Sequence, residues 1–436
     1  MKRKLVLTTI SVAAYLLISG VGFASCSEDE EPYVLQKEDV QVEKSANGFT
    51  VNVNEPLKIE VKSVSDEGVT YQWLLDGKAI AETKNLEYML DKIGKYDLQL
   101  SVTQTSLIFT YEFALSVIPG GVTPPDASST AYITKILDFM PAVGQFTNEL
   151  PKYETGDTQE TMNAKVLKNI GNNKRGMISL GGFGGYVVVG FDHTIMNVAG
   201  KRDFRVIANA FYSAANPNSN APEGGSCEPG VIVVAYDANK NGVPDDNEWY
   251  EIAGSSHVDP TKELWYSKAV TAGNDVKTYA NYEITYHRPT QEPTTAEGKL
   301  QYIKWENNQG QSGYKVKNQF HNQPYFPLWA KGDKITFKGT CLPQNGMDES
   351  GQGSYYVLYK FLYGYADNET NTKEEAAIDI DWAINDKGQK VNLPGVDFVK
   401  IYTGVNQENG WLGECSTEIT NVEDLHILGI DIDTRK

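Results

Sequence analysis

Residues 231 to 252 read Val231-Ile232-Val233-Val234-Ala235-Tyr236-Asp237-Ala238-Asn239-Lys240-Asn241-Gly242-Val243-Pro244-Asp245-Asp246-Asn247-Glu248-Trp249-Tyr250-Glu251-Ile252. The middle of this stretch fits the calcium-loop pattern D-x-[DN]-x-[DN]-G-x5-E at every fixed position. The flanks do not fit a helix-loop-helix, because both are short apolar runs rich in β-branched and aromatic residues, which favour strands. The stretch therefore predicts two strands joined by a polar loop, in a chain of the all-β class.

The loop offers oxygen atoms at the positions from which calcium loops coordinate the ion, and calcium prefers six to eight oxygen ligands. The predicted metal ligands are the side chains of Asp237, Asn239, Asn241, Asp245 and Glu248 and the carbonyl of Val243. The alternative is a hairpin without metal, because Asn, Asp and Gly also form turns. A bound Ca²⁺ would be a structural cofactor that stiffens the loop and takes no part in chemistry.

The first 25 residues are predicted to be a lipoprotein signal peptide. Three basic residues at positions 2–4 precede an apolar run, and Phe23-Ala24-Ser25-Cys26 resembles the bacterial lipoprotein box whose cysteine is acylated. The alternative is an ordinary secretory signal with an incidental cysteine. Residues 26–32 form an acidic tether. Its run Ser27-Glu28-Asp29-Glu30-Glu31 resembles the signal that sends Bacteroidetes lipoproteins to the extracellular face of the outer membrane.

Charge and cysteine content exclude several classes of protein. The formal net charge of −18 becomes −21 once the leader, with three basic and no acidic residues, is removed. A chain this acidic is a poor ligand for nucleic acid or an anionic membrane, so we expect membrane contact through the lipid anchor alone. Cys227, Cys341 and Cys415 form no C-x-x-C motif, which leaves two alternatives: one disulfide with a spare thiol, or three buried thiols.

Residues 33–118 are predicted to form a small β-sandwich. Apolar residues alternate from Phe49 to Val61, and Trp73 stands in a strand before the turn at Asp76-Gly77. Together with the strand that runs from Ile93 to Val102, these features resemble PKD-like members of the immunoglobulin-like fold. The resemblance implies a spacer domain with Trp73 in its core. Residues 119–129, rich in Pro and Gly, are predicted to be a linker.

Residues 130–436 are predicted to form one large jelly-roll-like β-sandwich domain with few helices. One helix is expected from an N-cap at Asp157 to Ile170. The glycine-rich stretch before Asp192 is followed by a strand instead of a helix, which favours a bulged strand entry over a nucleotide loop. A strand from Ala377 to Ala383 would expose Asp379 and Asp381 as an acidic pair or as a second cation site.

Aromatic residues crowd the second half of the chain and are suited to amphipathic ligands. The predicted ligand contacts are Trp265, Tyr266, Trp305, Tyr325, Trp329, Tyr365 and Trp411. The alternative is that most of these side chains fill the core. The sequence holds neither H-E-x-x-H nor G-x-S-x-G, which favours a protein that is not an enzyme. A glycosidase, however, needs only two carboxylates and no local motif.

The whole chain resembles Bacteroidetes cell-surface lipoproteins, and among these it is similar to the surface vitamin B12-binding lipoproteins. The resemblance is carried by residues 181–192, 236–252 and 364–368. It implies capture of cobalamin at the cell surface, beside a TonB-dependent transporter of the outer membrane. The alternatives are a glycan-binding surface lipoprotein of a polysaccharide-utilisation system and, less favoured, a glycoside-active enzyme.

Overall fold

The computed structural model describes residues 33–43, 48–92, 94–118, 120–213, 218 and 220–434. Three predictions concern residues outside these ranges. They are the signal peptide, the acidic tether with Cys26, and the parts of the predicted strand and linker at Ile93 and Pro119. Strands dominate the described chain and the four helices are short, which confirms the all-β prediction. Within the described ranges, no helix has the length and apolar character needed to cross a membrane.

The N-terminal domain contains nine strands. They are β1 Val40–Val42, β2 Phe49–Asn52, β3 Pro56–Ile59, β4 Val61–Ser63, β5 Val69–Leu75, β6 Lys78–Ala81, β7 Leu86–Met89, β8 Gly94–Gln104 and β9 Leu107–Ile118. Five of them form a sheet in the order β2-β9-β8-β5-β6, in which β2 and β9 are parallel. The pairs β1-β4 and β3-β7 cover the other side of the core.

Trp73 fills the centre of this domain, as its position in an alternating strand predicts. The side chain is fully buried, and its Nε1 donates to the carbonyl of Thr83 at 3.1 Å. The turn between β5 and β6 is the predicted one, because Asp76 and Gly77 adopt φ values of 46° and 76°. Positive φ at both central positions matches the right-handed twist of the flanking strands.

The predicted C-terminal domain contains the other strands and the four helices of the described chain. The strands are β10 Lys135–Met140, β11 Ile178–Ser179, β12 Tyr186–Met196, β13 Phe204–Ala208, β14 Phe211–Tyr212, β15 Gly224–Ser226, β16 Gly230–Ala235, β17 Trp249–Ile252, β18 Tyr279–His287, β19 Ile303–Asn307, β20 Ser312–Lys315, β21 Lys334–Cys341, β22 Gly346–Asp348, β23 Tyr356–Tyr359, β24 Ala377–Ile378, β25 Ala383–Ile384, β26 Gly395–Thr403 and β27 Glu418–Asp424. The helices are α1 Gln159–Ile170, α2 Ser255–Val258, α3 Tyr266–Ala272 and α4 Ala296–Leu300.

A six-stranded sheet, β10-β12-β26-β16-β17-β25, forms the middle of this domain. One of its faces packs on the sheet β11-β27-β13-β24 around a first core that includes Ile232 and Val234. The other face packs on the sheets β20-β19-β18-β21 and β14-β15-β23-β22 around a second core that includes Val231 and Tyr402. Because both faces are buried, β16 is apolar at successive positions and does not alternate. The predicted sandwich therefore has a third layer.

Helix α1 starts one position later than the sequence predicts. Its N-cap is Thr158, whose side chain accepts from the backbone N–H of Thr161, whereas Asp157 accepts from the backbone of Glu154 and pairs with Lys165. Either oxygen-bearing side chain suits an N-cap, and the extended backbone of Thr158 decides between them. The predicted apolar face of Met162, Val166 and Ile170 is buried.

The predicted strand from Ala377 to Ala383 is broken. Asp379 accepts a hydrogen bond from the backbone N–H of Asp381 at 2.8 Å and caps a 3₁₀ turn at Ile380–Trp382. Asp379 is 2% exposed, so the two acids do not form the expected exposed pair. A short polar side chain here competes with the sheet for backbone groups, which strand periodicity does not reveal.

Candidate functional site

The predicted calcium loop joins two paired strands, as its flanks indicate. β16 and β17 are antiparallel, with Ala235 opposite Trp249, and residues 236–248 connect them. Both carboxylate oxygens of Asp237 accept backbone N–H groups inside the loop, one from Asn241 at 3.0 Å and one from Gly242 at 2.7 Å. Gly242 adopts φ +81°, which favours glycine at this turn.

Glu248 closes the loop from its far end. Its two carboxylate oxygens accept the backbone N–H groups of Ala238 and Asp245, each at 3.0 Å. Asp245 in turn accepts from the side-chain amides of Asn239 and Asn241, at 2.5 and 3.2 Å. These hydrogen bonds join the side chains of the predicted ligands within one loop, but the carboxylate oxygens of Asp237, Asp245 and Glu248 do not all lie within 4.8 Å of one another. A bound calcium ion would need the two amides rotated so that each presents Oδ1, its oxygen, in place of Nδ2.

Four of the seven predicted ligand contacts lie in the hydrophobic core. Trp265, Tyr325, Trp329 and Tyr365 are at most 8% exposed. Their polar atoms have partners inside the protein: Trp265 donates to the carbonyl of Lys360 at 2.9 Å, and Trp329 donates to Gln159 at 3.1 Å. For these four residues the structure agrees with the alternative that the aromatic side chains fill the core, because a buried side chain with internal partners stabilises the fold.

The other three predicted contacts differ in exposure. Trp411 is 47% exposed, whereas Tyr266 and Trp305 are partly buried. Trp305 lies on β19 and packs beside the second core, and Tyr266 begins α3. Trp411 lies instead in a 3₁₀ turn, Gly410–Leu412, between two glycines that adopt positive φ. Of the seven, Trp411 is the side chain best placed to meet a ligand.

Trp411 lies on a loop that hydrogen bonds hold next to the loops of three other aromatic side chains, and we call this surface the loop face. The loop face consists of Phe146, Phe320, His321 and Trp411, of which Phe320 and Trp411 are exposed and Phe146 and His321 are half-buried. Phe320 is 63% exposed, and the rings of Phe146 and His321 meet edge to face at 4.9 Å between centroids. Exposed aromatic side chains grouped on a polar surface are typical of binding sites.

Polar side chains hold the loops beneath this face together. The side-chain amide of Asn318 donates to the carbonyl of Trp411 at 2.6 Å, and that of Gln145 donates to the carbonyl of Leu412 at 2.7 Å. Gln323 donates to the carbonyl of Gln145. Trp411 itself donates from Nε1 to the carbonyl of Ser354 at 3.3 Å. These bonds fix the aromatic side chains on a rigid support, so less conformational entropy is lost when a ligand binds.

Two carboxyl groups lie beside the loop face in different environments. Glu408 forms an ion pair with Lys315 at 2.7 Å, and the carboxylate of Glu414 accepts the backbone N–H of Gln145 at 2.6 Å. Burial, together with the nearby charge of Glu408, raises the pKa of Glu414 to about 8. Near neutral pH, Glu414 is therefore mainly protonated.

A second carboxylate group lies deeper in the domain. In the described part of the chain, Glu228, Asp367 and Glu418 are the one set of three acidic, His or Cys residues with ligand atoms all within 4.8 Å of one another. Ser226 and Ser416 donate to Glu228, and Ser416 donates to Glu418 at 2.7 Å. Burial raises the pKa of all three groups, that of Glu418 to about 7. A divalent cation with oxygen ligands would fit this set chemically.

The Glu418→Gln variant is expected to be more stable than the wild type at pH 8 and similar to it at pH 5. The pKa of Glu418 is about 7 in the folded chain and roughly 4.3 when unfolded. Its stabilising contribution is therefore complete below pH 4 and is lost as the pH rises through 7, by at most about 4 kcal/mol. Urea unfolding at both pH values, in chelator, measures this difference.

The exposed Glu112→Gln substitution is the matched control and is expected to change the free energy of unfolding by less than about 0.5 kcal/mol at either pH. Equal pH dependence in wild type and Glu418→Gln would contradict the prediction. Added calcium that stabilises the wild type but not Glu418→Gln at pH 8 would assign the ion to this carboxylate set.

The three cysteines of the described chain are free and buried, which matches the second alternative from the sequence. Burial raises the pKa of all three thiols, that of Cys341 to about 12. At neutral pH the reactive thiolate is therefore scarce, and these residues act as small apolar side chains.

No protein-family model and no curated protein matches the chain. Among solved structures, it matches a quinonprotein alcohol dehydrogenase-like protein of Bacteroides thetaiotaomicron, with 19% identity over 36% of this chain and TM-score 0.16. That match spans only 34% of the other protein.

Two further matches cover more of the chain. A SusE-like protein matches with 8% identity over 90% of this chain and 97% of its own, at TM-score 0.15. The SGBP-B protein of the Bacteroides ovatus mixed-linkage glucan utilization locus, in complex with a mixed-linkage heptasaccharide, matches with 11% identity over 83% of this chain and 99% of its own, at TM-score 0.18. These scores are too low to assign a shared function.

Proposed function

We propose that this chain is a surface lipoprotein that captures a ligand on its loop face and does not change it chemically. The exposed indole of Trp411, on a turn fixed by hydrogen bonds to Asn318 and Ser354, is the observation that carries the proposal. Rigid aromatic rings provide contact area at a low cost in conformational entropy. Attachment through Cys26 and export by the acidic run that follows it would place this face outside the outer membrane.

A glycan is the ligand that the loop face fits best. Sugar rings stack on indole and phenyl faces through their apolar C–H side, and their hydroxyl groups bond to carboxylates and amides such as those of Glu408 and Gln323. Phe320 and Trp411 are both exposed to solvent, which suits contact with an extended oligosaccharide. A TonB-dependent transporter is the partner that would take the captured ligand across the outer membrane.

Cobalamin is the second candidate ligand, and the resemblance to B12-binding surface lipoproteins favours it. A corrin is large and amphipathic, and it could lie on the same aromatic side chains. The stretches that carry the resemblance, however, build the fold: residues 186–196 form β12, and residues 236–252 form the loop and β17. They support membership of the same domain family more than they support a particular ligand.

The Trp411→Ala variant is expected to bind its ligand at least about tenfold more weakly than the wild type, because a central aromatic anchor contributes a large share of binding energy. Calorimetry with a panel of oligosaccharides and with cobalamin measures this change. Tyr314→Ala is the matched control: Tyr314 is 44% exposed, but it points to the face of β20 opposite Lys315, the residue that reaches Glu408.

The panel separates the candidate ligands. Binding to an oligosaccharide that depends on Trp411, with a flat cobalamin titration, supports the glycan; the reverse supports cobalamin. Equal affinity in wild type and Trp411→Ala would show that the ligand binds elsewhere. A folded protein that binds neither class would contradict capture of these ligands.

A glycoside-active enzyme is the alternative class, and the carboxyl pair beside the loop face is the observation that favours it. Retaining and inverting glycosidases use a pair of carboxyl groups of which one is protonated; Glu414 has a raised pKa, and Glu408 lies near it in an ion pair with Lys315. Glu414 is 6% exposed, however, which limits its access to a glycosidic oxygen. Release of reducing sugar by the wild type, lost in Glu414→Gln, would establish the enzyme and end the capture proposal.

We also propose that the Asp237–Glu248 loop binds calcium as a structural ion. The hydrogen bonds that link Asp237, Asn239, Asn241 and Asp245 inside a loop closed by Glu248 support this assignment. The loop connects two strands of the middle sheet, so an ion there would stabilise that sheet's connection.

A further inference from the structure

One end of the N-terminal domain exposes a group of large apolar side chains, which we call the apolar tip. The tip consists of Tyr33, Val34, Val64, Leu107 and Ile108. These side chains are between 40% and 67% exposed, and Val64 and Ile108 are the most exposed at 67%. Among the described residues of this domain, five of the six exposed large apolar side chains belong to the tip, and Met89 is the sixth.

The side chain of Gln104 ties the segments of the tip together. Its Oε1 accepts the backbone N–H of Leu35 at 2.8 Å, and its Nε2 donates to the carbonyls of Tyr33 at 2.8 Å and Glu67 at 3.0 Å. Gln104 also faces Leu107 across the β8-β9 hairpin. The entry segment, the loop that holds Val64 and the hairpin therefore meet at one end of the sandwich.

The C-terminal domain leaves from the other end. Strand β9 runs for 12 residues from Leu107 to Ile118, a length of roughly 36 Å at the usual rise of a strand. At that far end, the carbonyl of Ile118 accepts from Val53, and the neighbouring Asn54 donates to the carbonyl of Leu90, next to Met89. The tip and the exit to the C-terminal domain are thus on opposite ends of the N-terminal domain.

The short segment between Cys26 and Tyr33 limits the distance between an acyl group on Cys26 and the apolar tip. Six residues separate Cys26 from Tyr33, and a chain of this length spans at most about 25 Å when fully extended. An acyl group on Cys26 would therefore hold the apolar tip close to the membrane. Large exposed apolar groups that face a bilayer gain free energy by entering its interfacial region.

We infer that the apolar tip rests in the interfacial region of the membrane lipid and orients the protein with its C-terminal domain outward. This inference depends on the proposed lipid anchor at Cys26. The contact is apolar and not electrostatic, because the loop that holds Val64 also holds Asp66 and Glu67 and the whole chain is acidic. It therefore replaces the expectation of membrane contact through the lipid anchor alone with contact through both the anchor and the apolar tip.

The inference can be tested with an environment-sensitive fluorophore on the full-length acylated protein. The fluorophore is attached at Ile108→Cys and, as the matched control, at Met89→Cys, which is 59% exposed at the opposite end. The three cysteines of the described chain are buried, which favours labelling of the introduced thiol. The protein is mixed with phosphatidylcholine vesicles, and flotation with the vesicles reports anchoring separately.

We expect the fluorophore at residue 108 to shift to the blue and to be shielded from an aqueous quencher on vesicles, while that at residue 89 stays unchanged. If the protein floats with the vesicles but the fluorophores at residues 108 and 89 both remain exposed to water, the contact of the tip with the membrane is overturned while the lipid anchor is supported. Failure to float would overturn both. A blue shift at residue 108 without vesicles, with a doubled mass in light scattering, would show that the tip joins two copies and would also overturn the inference.

Variants of the tip give a second measurement. Without the anchor, in a Cys26→Ala background, replacing Leu107 and Ile108 by Ser is expected to lower weak partitioning into the same vesicles by roughly tenfold, since two apolar side chains no longer leave water. Partitioning that is the same in both unanchored proteins would overturn the inference. Both residues are exposed, so the fold should tolerate the change.

Discussion

Replacing Cys26 by alanine is expected to move the whole protein from the membrane fraction to the soluble fraction of cells. The acyl chains on this cysteine would supply most of the membrane affinity, because no described helix spans a membrane and an apolar tip alone gives weak, reversible binding. Fractionation followed by immunoblotting measures the distribution. Ser27→Ala, one residue further on, is the matched control and should remain with the membrane.

The acidic run gives a related result. Replacing residues 28–31 by alanine is expected to keep the protein in the membrane fraction but to protect it from protease added to intact cells, since the export signal is then lost. Membrane attachment of the Cys26→Ala variant equal to that of the wild type would refute the lipoprotein proposal. Protease digestion of both forms on intact cells would refute the role of the acidic run alone.

Removal of calcium is expected to lower the melting temperature of the wild type by several degrees. An ion that binds only the folded state stabilises it by about 2.7 kcal/mol when its concentration is a hundredfold above the dissociation constant. In a chain of this size each kcal/mol shifts the melting temperature by a few degrees. Melting in chelator and then in excess calcium measures the effect.

The combined Asp237→Ala and Glu248→Ala variant is expected to lose the calcium-dependent shift, because both ends of the ligand set are removed. Asp246→Ala removes an exposed carboxylate from the same loop without removing a predicted ligand, so it should retain the shift. An equal melting temperature of the wild type with and without calcium would show that the loop is a hairpin without metal. A calcium-dependent shift that persists in the combined variant would indicate that the ion binds at Glu228, Asp367 and Glu418 instead.

Local patterns predicted the parts of the fold that local physics determines. Alternation and the Asp76-Gly77 turn located β5 and β6, and the period of Met162, Val166 and Ile170 located the buried face of α1. The N-cap was displaced by one residue because Asp157 and Thr158 can both accept a backbone N–H, and only the backbone conformation distinguishes them. The strand predicted from Ala377 to Ala383 was interrupted because the side chain of Asp379 also accepts a backbone N–H, that of Asp381, and so caps a 3₁₀ turn.

The candidate site was harder to predict because burial depends on distant segments. Trp265 and Trp411 both stand near turns, yet Phe361 covers Trp265 at 5.0 Å between ring centroids, while Trp411 is left in solvent. Phe146 meets His321 across 175 residues of sequence, and the three carboxylates of the deeper set are also far apart in the chain. Such groups leave no local motif. The exposed Phe320, in a run of Asn and Gln, was the nearest signal in the sequence.

The order of strands in the two facing sheets has a consequence for biosynthesis. Strand β26, residues 395–403, lies between β12 and β16, and strand β27, residues 418–424, lies between β11 and β13. Both sheets therefore receive an interior strand from residues 395–424, which are translated after every other strand of the described chain. Until these residues emerge, the earlier strands lack their neighbours, and the C-terminal domain cannot close. A chain that must cross the inner membrane in extended form would thereby be kept from folding before its export.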